Sequence, residues 1–407
     1  MKAFSYVEII GIRFLTVLIQ LLFIKCVTNA ISVNELGVYY FLLTISYTLN
    51  AVLFVPLDYF QQSALYKYIK ENISIKSYFV FNKRLLVSIF VLIAVGSVSI
   101  GCFDMYYSIA FIATMLMSIG TYASLFLRGI VNNLEHRRRA AYNLFLEGIL
   151  RILFLYLLFV AFEATPLTVL FAFILASYVT NVLLFIFIIK LPEYRIGKII
   201  DVKIVDVFRF SYPISIGAIA NWIQLQSYRL VLVPLGYSEA VGFYATVANV
   251  GTSGMNVCST IYNQLFIPDL YKTKGRFLGK YISYALGIIL VVLLVTLLLK
   301  NILVELLTNS NYMRYSYLIF YGIIVEAGNF IVGAFTSFLG IHNMTKYSLK
   351  VSLVGAFSFF FIFSFFLFTG NVTPHTVGIP IVLSQMIVVG YLGVIVYKIY
   401  NIQRNEL

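Results

Sequence analysis

Long apolar runs separated by short polar gaps repeat from one end of the chain to the other. They fall at approximately 7–30, 36–64, 85–104, 106–130, 141–162, 166–190, 207–234, 240–269, 281–304, 314–341, 347–370 and 375–399. Crossing roughly 30 Å of hydrocarbon takes about 20 residues of helix, so the pattern predicts an all-α polytopic membrane protein of twelve spans. The second, eighth and tenth runs are long, and tilt or extension beyond the bilayer is expected there. Prolines sit inside several runs: Pro56 in the second, Pro213 in the seventh and Pro268 in the eighth. Proline removes a backbone hydrogen bond and bends a helix, and in membranes such breaks tend to line cavities.

The gaps are not equivalent. Of the 29 Lys and Arg residues, 21 lie at the extreme N-terminus or in the gaps that follow the even-numbered runs. Lys67, Lys70, Lys76, Lys83 and Arg84 follow the second run, and Arg137, Arg138 and Arg139 follow the fourth. The alternate gaps hold almost none, Lys300 being the edge case. Basic residues stay on the cytoplasmic side of a membrane, so both termini are expected in the cytoplasm.

Composition narrows the class. A mean hydropathy of +0.95 with 61% apolar and 11% charged residues excludes a soluble domain. Dividing 407 residues among twelve spans leaves about 34 for each span with its loop, so no separate soluble domain fits. The formal charge of +13 is topogenic and attracts anionic lipid headgroups; nucleic acid is not an expected partner. The N-terminal run lacks a small-residue cleavage site and reads as a retained first helix. Cys26, Cys102 and Cys258 are scattered in apolar runs, which predicts neither a disulfide framework nor a metal site.

The polar stretch 191–206 divides the chain into a first lobe of helices 1–6 (1–190) and a second of helices 7–12 (207–407). The halves resemble each other. The second run opens with Glu35-Leu36-Gly37-Val38-Tyr39 and the eighth with Glu239-Ala240-Val241-Gly242-Phe243-Tyr244. Each ends in a proline, an aspartate and a glutamine: Pro56, Asp58 and Gln61 in one, Gln264, Pro268 and Asp269 in the other. An even number of helices per half gives parallel repeats related by an axis along the membrane normal. The match is loose, its offset shifts, and chance similarity is the alternative.

Twelve helices in two six-helix lobes, this short opening motif and brief outer loops resemble the multidrug/oligosaccharidyl-lipid/polysaccharide exporter superfamily. Size and apolarity resemble its Wzx-type flippases of lipid-linked O-antigen or capsule units. The resemblance implies a MATE-like fold around a central cavity opening alternately to either face. It also implies a substrate on an undecaprenyl diphosphate carrier, with other membrane proteins of polysaccharide assembly as possible partners.

Seven cations fall within the spans or at their ends. Arg128, Arg209 and Arg314 lie near span ends, where snorkelling to the interface accounts for them. Arg13, Lys25, Arg151 and Arg229 lie deeper. A lipid-facing cation at mid-bilayer costs about 2.5–3.5 kcal/mol, so these four are expected to face water, a carboxylate or a polar cavity. They form the candidate substrate site. Arg supplies a planar fork of donors for phosphate oxygens and Lys a point charge. The alternatives are structural: Glu147 precedes Arg151 by one turn and can pair with it, and Arg13 and Lys25 can each reach a nearer end of the first span. Aligning the two opening motifs places Lys25 and Arg229 at nearly equivalent positions, which predicts that they meet across a cleft between lobes. Asp58 and Glu326 are candidate ion-coupling carboxylates, or each balances a nearby arginine. Tyr39, Asn50, Asn221, Trp222, Tyr244, Asn249 and Asn256 are candidates to line a sugar-accepting cavity.

No ATP-binding loop is present, since Gly275-Arg276-Phe277-Leu278-Gly279-Lys280-Tyr281 is one residue short and lacks the hydroxyl after lysine. His136, His342 and His375 are dispersed and no nucleophile motif stands out. No enzyme activity and no cofactor are expected. A polytopic glycan polymerase would carry a large outer loop, whereas each outer gap here is about a dozen residues or fewer. The expected function is therefore an inner-membrane, monomeric flippase for lipid-linked oligosaccharide. An organic-cation exporter of the same superfamily is the alternative, opposed by the cationic balance of the spans.

Overall fold

The computed structural model describes residues 3–342, 344 and 346–405, without the side chains at 3–7, 66, 208, 210, 212–214, 264, 268 and 401–405. Lys2 and the side chains of Pro213, Gln264, Pro268 and Arg404 thus lie outside the described residues.

Backbone groups in hydrocarbon must be satisfied within their own segment, and the described chain is helical nearly throughout. Its helices are α1 (Ala3–Ala30), α2 (Val33–Leu49), α3 (Val55–Lys70), α4 (Lys76–Gly101), α5 (Met105–Asn133), α6 (Arg137–Ala161), α7 (Pro166–Ile188), a short α8 (Pro192–Arg195), α9 (Ile204–Leu232), α10 (Ser238–Lys272), α11 (Leu278–Leu307), α12 (Ile319–Ile341), α13 (Lys346–Phe368) and α14 (Pro374–Asn405). A π-helical turn, Asn50–Phe54, joins α2 to α3, and a 3₁₀ run, Ser310–Leu318, leads into α12. With those joins the chain makes the twelve spans the hydropathy pattern predicts. Among the described residues, ten of them are long and apolar enough to cross a membrane. The other two, α9 and α10, are the ones whose apolar runs are broken by Asn221, Gln224, Gln226 and Arg229 and by Asn249, Thr252 and Asn256.

Pro56 acts as expected. It has no N–H to offer the preceding turn, and the chain widens into the π turn just before it. Positions 213 and 268 differ, because α9 and α10 run through them without a break.

The sixth and twelfth spans begin with the same device. Thr165-Pro166-Leu167-Thr168-Val169 opens α7 and Thr373-Pro374-His375-Thr376-Val377 opens α14. In each, the first threonine N–H donates to the second hydroxyl at 2.8 Å, and the second N–H donates back to the first hydroxyl at 3.3 Å. Proline fills the first helical position, where no N–H is needed. This repeated capping box sits at equivalent places in the two halves and is a stronger sign of duplication than the opening motif.

The helices gather into two compact units. The first comprises residues 1–23 and 41–215, the second 24–40 and 216–407. The end of α1 and the start of α2 therefore pack with the second half of the chain, and the start of α9 with the first. In the first unit, Tyr68 stacks on Tyr78 at 4.7 Å and Phe54 on Tyr122 at 4.5 Å. The polar segment after α7 is laid along the turn between α3 and α4: Ser74 Oγ donates to the Tyr194 carbonyl at 2.7 Å, and the N–H of Ile75 to that of Glu193 at 3.1 Å.

In the second unit the two opening motifs touch reciprocally. A Cβ on Gly37 would sit 2.0 Å from the Ser238 carbonyl oxygen, and one on Gly242 would sit 2.1 Å from that of Val33. Backbone meets backbone at both points, so only glycine fits.

Candidate functional site

Each of the four expected cations has its own surroundings. Arg151, on α6, pairs with Glu147 one turn earlier, and Glu147 also holds Arg128 of α5. The carboxylate is buried, with only 3% of its side chain exposed. Arg128 Nε donates to Asn143 Oδ1 at 2.8 Å, and Asn143 Nδ2 to the Thr180 carbonyl of α7 at 2.8 Å. The Arg151 guanidinium lies 3.5 Å from the centre of the Phe173 ring, a cation–π contact strengthened by desolvation. Two arginines thus share one carboxylate across α5, α6 and α7, leaving a net positive charge. The sequence foresees the i,i+4 pair. It misplaces Arg128, which is embedded in this triad and does not snorkel to the interface.

Lys25 ends in a structural role. Its Nζ donates to the Glu305 carbonyl at 2.7 Å, one of the last carbonyls of α11, which have no partner within their own helix. A cation there also complements the helix dipole. In return Asn309 Nδ2 donates to the Thr28 carbonyl near the end of α1 at 2.6 Å. Arg13, by contrast, is exposed on α1.

Arg229 is buried at 8% exposure and surrounded by tyrosines. Its Nε donates to the Tyr228 hydroxyl at 2.8 Å, and its guanidinium lies 5.0 Å from the centre of the Tyr40 ring. Tyr228 packs edge-on against Tyr244, and Tyr244 against Tyr321, whose hydroxyl is 2.8 Å from His375 Nδ1. Lys25 and Arg229 both belong to the second compact unit. The expected meeting of one cation from each lobe is therefore not what the fold provides: α1 and α2 contribute residues 24–40 to the second unit, so Lys25 is on the same unit as Arg229.

The two candidate carboxylates take amide partners. Gln62 Nε2 donates to Asp58 Oδ2 at 2.7 Å, while Asp58 Oδ1 is buried with no hydrogen-bond partner among the described residues. Glu326 Oε2 accepts from Asn329 Nδ2 at 3.2 Å, the end of a polar chain through the second unit. Gln385 Nε2 donates to Asn329 Oδ1 at 3.1 Å, and Gln224 Nε2 to Gln385 Oε1 at 2.9 Å. Among the described residues neither carboxylate is in an ion pair. Asn329 and Gln385 are not among the residues the sequence reading marks, although amides inside apolar runs are a readable signal.

Of the expected sugar-lining residues, Asn50 Nδ2 donates to Ser118 Oγ and to the Ser46 carbonyl, both at 3.0 Å. Asn256 Oδ1 accepts from Thr260. Tyr244 is packed in the tyrosine cluster, Asn221 is exposed, and the indole N–H of Trp222 is buried without an acceptor among the described residues.

Neither a protein-family model nor a curated protein matches the chain. Solved structures do. The inward-facing conformation of a multidrug resistance MATE family transporter of the MOP superfamily is 14% identical, with a TM-score of 0.66 over 97% of this chain and 96% of that one. The outward-facing conformation of such a transporter is 12% identical, with a TM-score of 0.63 over 98% and 96%. The lipid II flippase MurJ, in an inward closed conformation, is 13% identical, with a TM-score of 0.71 over 96% and 87%. Similarity at this level is similarity of fold, and the fold of this all-α, twelve-span membrane protein is the one that MOP superfamily transporters adopt.

Proposed function

We propose that the chain is a flippase that carries an undecaprenyl-diphosphate-linked oligosaccharide, an O-antigen or capsule repeat unit, across the bacterial inner membrane by alternating access. The observation that carries this reading is the positive balance of polar groups inside the spans. Arg128 and Arg151 share the single carboxylate of Glu147, and Arg229 is buried among tyrosine rings and hydroxyls. Buried guanidinium groups attract a phosphate headgroup, and tyrosines suit sugars with both hydroxyl and ring face. The fold shared with a protein described as a lipid II flippase supports the same class of cargo. The prenyl tail stays in lipid, since withdrawing it costs about 0.8 kcal/mol per methylene. Asp58, with a buried oxygen that accepts nothing among the described residues, is the first candidate for coupling transport to an ion, and Glu326 the second.

Arg13→Ala, Lys25→Ala, Arg151→Ala and Arg229→Ala, expressed in a strain lacking its own flippase, test the reading through surface glycan and membrane protein level. Arg229→Ala is expected to lose at least tenfold of the glycan at normal protein level. Lys25→Ala is expected to lower protein and glycan together, because Lys25 closes α11. Normal glycan in all four variants would remove the cationic site. An exporter of organic cations is the second reading, favoured by the two carboxylates held only by amides. It predicts that Asp58→Asn and Glu326→Gln abolish drug resistance while surface glycan is untouched.

A further inference from the structure

A cavity of about 720 Å³ opens within the first unit, walled by α4, α5 and α7. Its lining changes character along α4. Lys76 stands at the start of that helix, Asn82 and Lys83 lie about 10 Å further in, and Leu86, Val87 and Phe90 continue beyond them. Phe79, Phe126 and Phe185 form an aromatic wall, with ring centres 5.3 and 5.4 Å apart. Val87 and Phe90 of α4 and Val182 of α7 line the cavity and are exposed, so it is open along an uncovered apolar face of these helices. The charged end is the one that the distribution of basic residues assigns to the cytoplasm.

Most of the amide and hydroxyl groups facing this cavity are already committed. Asn181 is committed on both sides: its Nδ2 donates to the Gly120 carbonyl at 2.9 Å and its Oδ1 accepts from Ser124 at 2.9 Å. The Tyr178 hydroxyl donates to the Leu116 carbonyl at 3.1 Å. Asn82 Oδ1 accepts from Gln61 Nε2 and from the Tyr122 hydroxyl, both at 2.9 Å. Its Nδ2 is buried and, among the described residues, has no acceptor, on a side chain only 6% exposed. Lys76 and Lys83 are exposed and have no carboxylate partner among the described residues, while the neighbouring Arg84 is neutralised by Asp201 at 2.6 Å. Two cations, one amide donor and the Tyr194 hydroxyl remain, over an apolar floor.

We propose that this cavity binds one anionic phospholipid of the cytoplasmic leaflet, with its phosphate on Lys76 and Lys83, an acyl ester carbonyl on Asn82 Nδ2, and an acyl chain along α4, α5 and α7. The chemistry selects this occupant. A phosphate and an acyl ester only accept hydrogen bonds, as these donors require. A sugar must donate as well, and the amide oxygens of Asn82 and Asn181 at this cavity already accept from protein donors. A prenyl phosphate has no ester carbonyl for Asn82. Basic pockets between membrane helices on the cytoplasmic side are suited to anionic headgroups, and a net negative lipid is favoured over a zwitterionic one by two lysines without a counter-ion. The turn that carries Lys76 is held to the segment after α7 through Ser74 and Ile75, so the site is built before the lipid arrives.

Native mass spectrometry of the full-length protein in detergent, titrated with phosphatidylglycerol or phosphatidylcholine, tests this. One phosphatidylglycerol is expected to bind with at least tenfold preference over phosphatidylcholine. The preference is expected to vanish in the double variant Lys76→Gln, Lys83→Gln, whose exposed sites leave folding intact. Ala123→Phe, which fills the cavity without changing charge, is expected to remove binding of both lipids. Lys272→Gln, in the second unit, is expected to change nothing. Equal binding of the two lipids, binding indifferent to the lysine and Ala123 variants, or displacement of phosphatidylglycerol by an equimolar polyprenyl phosphate would each overturn the proposal. No transported substrate enters this titration, so its outcome is separate from that of the flippase reading.

Discussion

Glu147 shows what a single residue does in this fold. It is the one carboxylate between two arginines from different helices, and removing one partner of a buried charge group leaves the rest uncompensated. Glu147→Ala is expected to cost about 3–5 kcal/mol and to lower the folded protein recovered from membranes sharply. Arg151→Ala is expected to cost less, because Arg128 still neutralises the carboxylate. Thermal unfolding of the purified variants, followed by tryptophan-independent circular dichroism, checks the order; equal losses would contradict it. The pair within α6 is legible because positions four apart share a helix face. Arg128 is not, because its partner lies on another helix. Lys25 is the same case: its proton donor reaches a backbone carbonyl of α11, and carbonyls leave no mark in a sequence.

Among elements, α2 and α10 are tied by their glycines. Gly37 lies against the Ser238 backbone and Gly242 against that of Val33. Gly37→Ala and Gly242→Ala are each expected to force the helices apart at about 1–3 kcal/mol, and Gly254→Ala, where a Cβ meets nothing within 4 Å, to be silent. Surface glycan and protein level in the same complementation strain separate these outcomes. The opening motifs were visible as a loose repeat, and their contact gives the repeat a physical reason. The better repeat, Thr-Pro-x-Thr-Val at the heads of α7 and α14, is not marked by hydropathy, because it straddles the edge of each apolar run and its meaning lies in side-chain capping bonds. Pro56 announces the π turn, yet proline alone does not decide a break, since α9 and α10 continue through their prolines.

For the molecule as a whole, the hydropathy pattern carried the all-α, twelve-span fold, since each span satisfies its backbone internally and needs no long-range partner to be recognised. The grouping of residues 24–40 with the second unit was not legible, because it depends on where helices pack and not on what they are made of. The basic gaps predict an orientation with both termini in the cytoplasm, which labelling checks. In a cysteine-free background, Leu235→Cys is expected to react with a membrane-impermeant maleimide in intact cells, and Lys274→Cys only after permeabilisation; the reverse would invert the topology. The central claim concerns cargo, and reconstitution measures it most directly. Purified protein in liposomes containing a fluorescent undecaprenyl-diphosphate oligosaccharide should expose the glycan to a quencher on the opposite leaflet much faster than protein-free liposomes do, and Arg229→Ala should remove most of that acceleration. No acceleration by the wild-type protein, with an ion gradient of either polarity imposed, would contradict the flippase account.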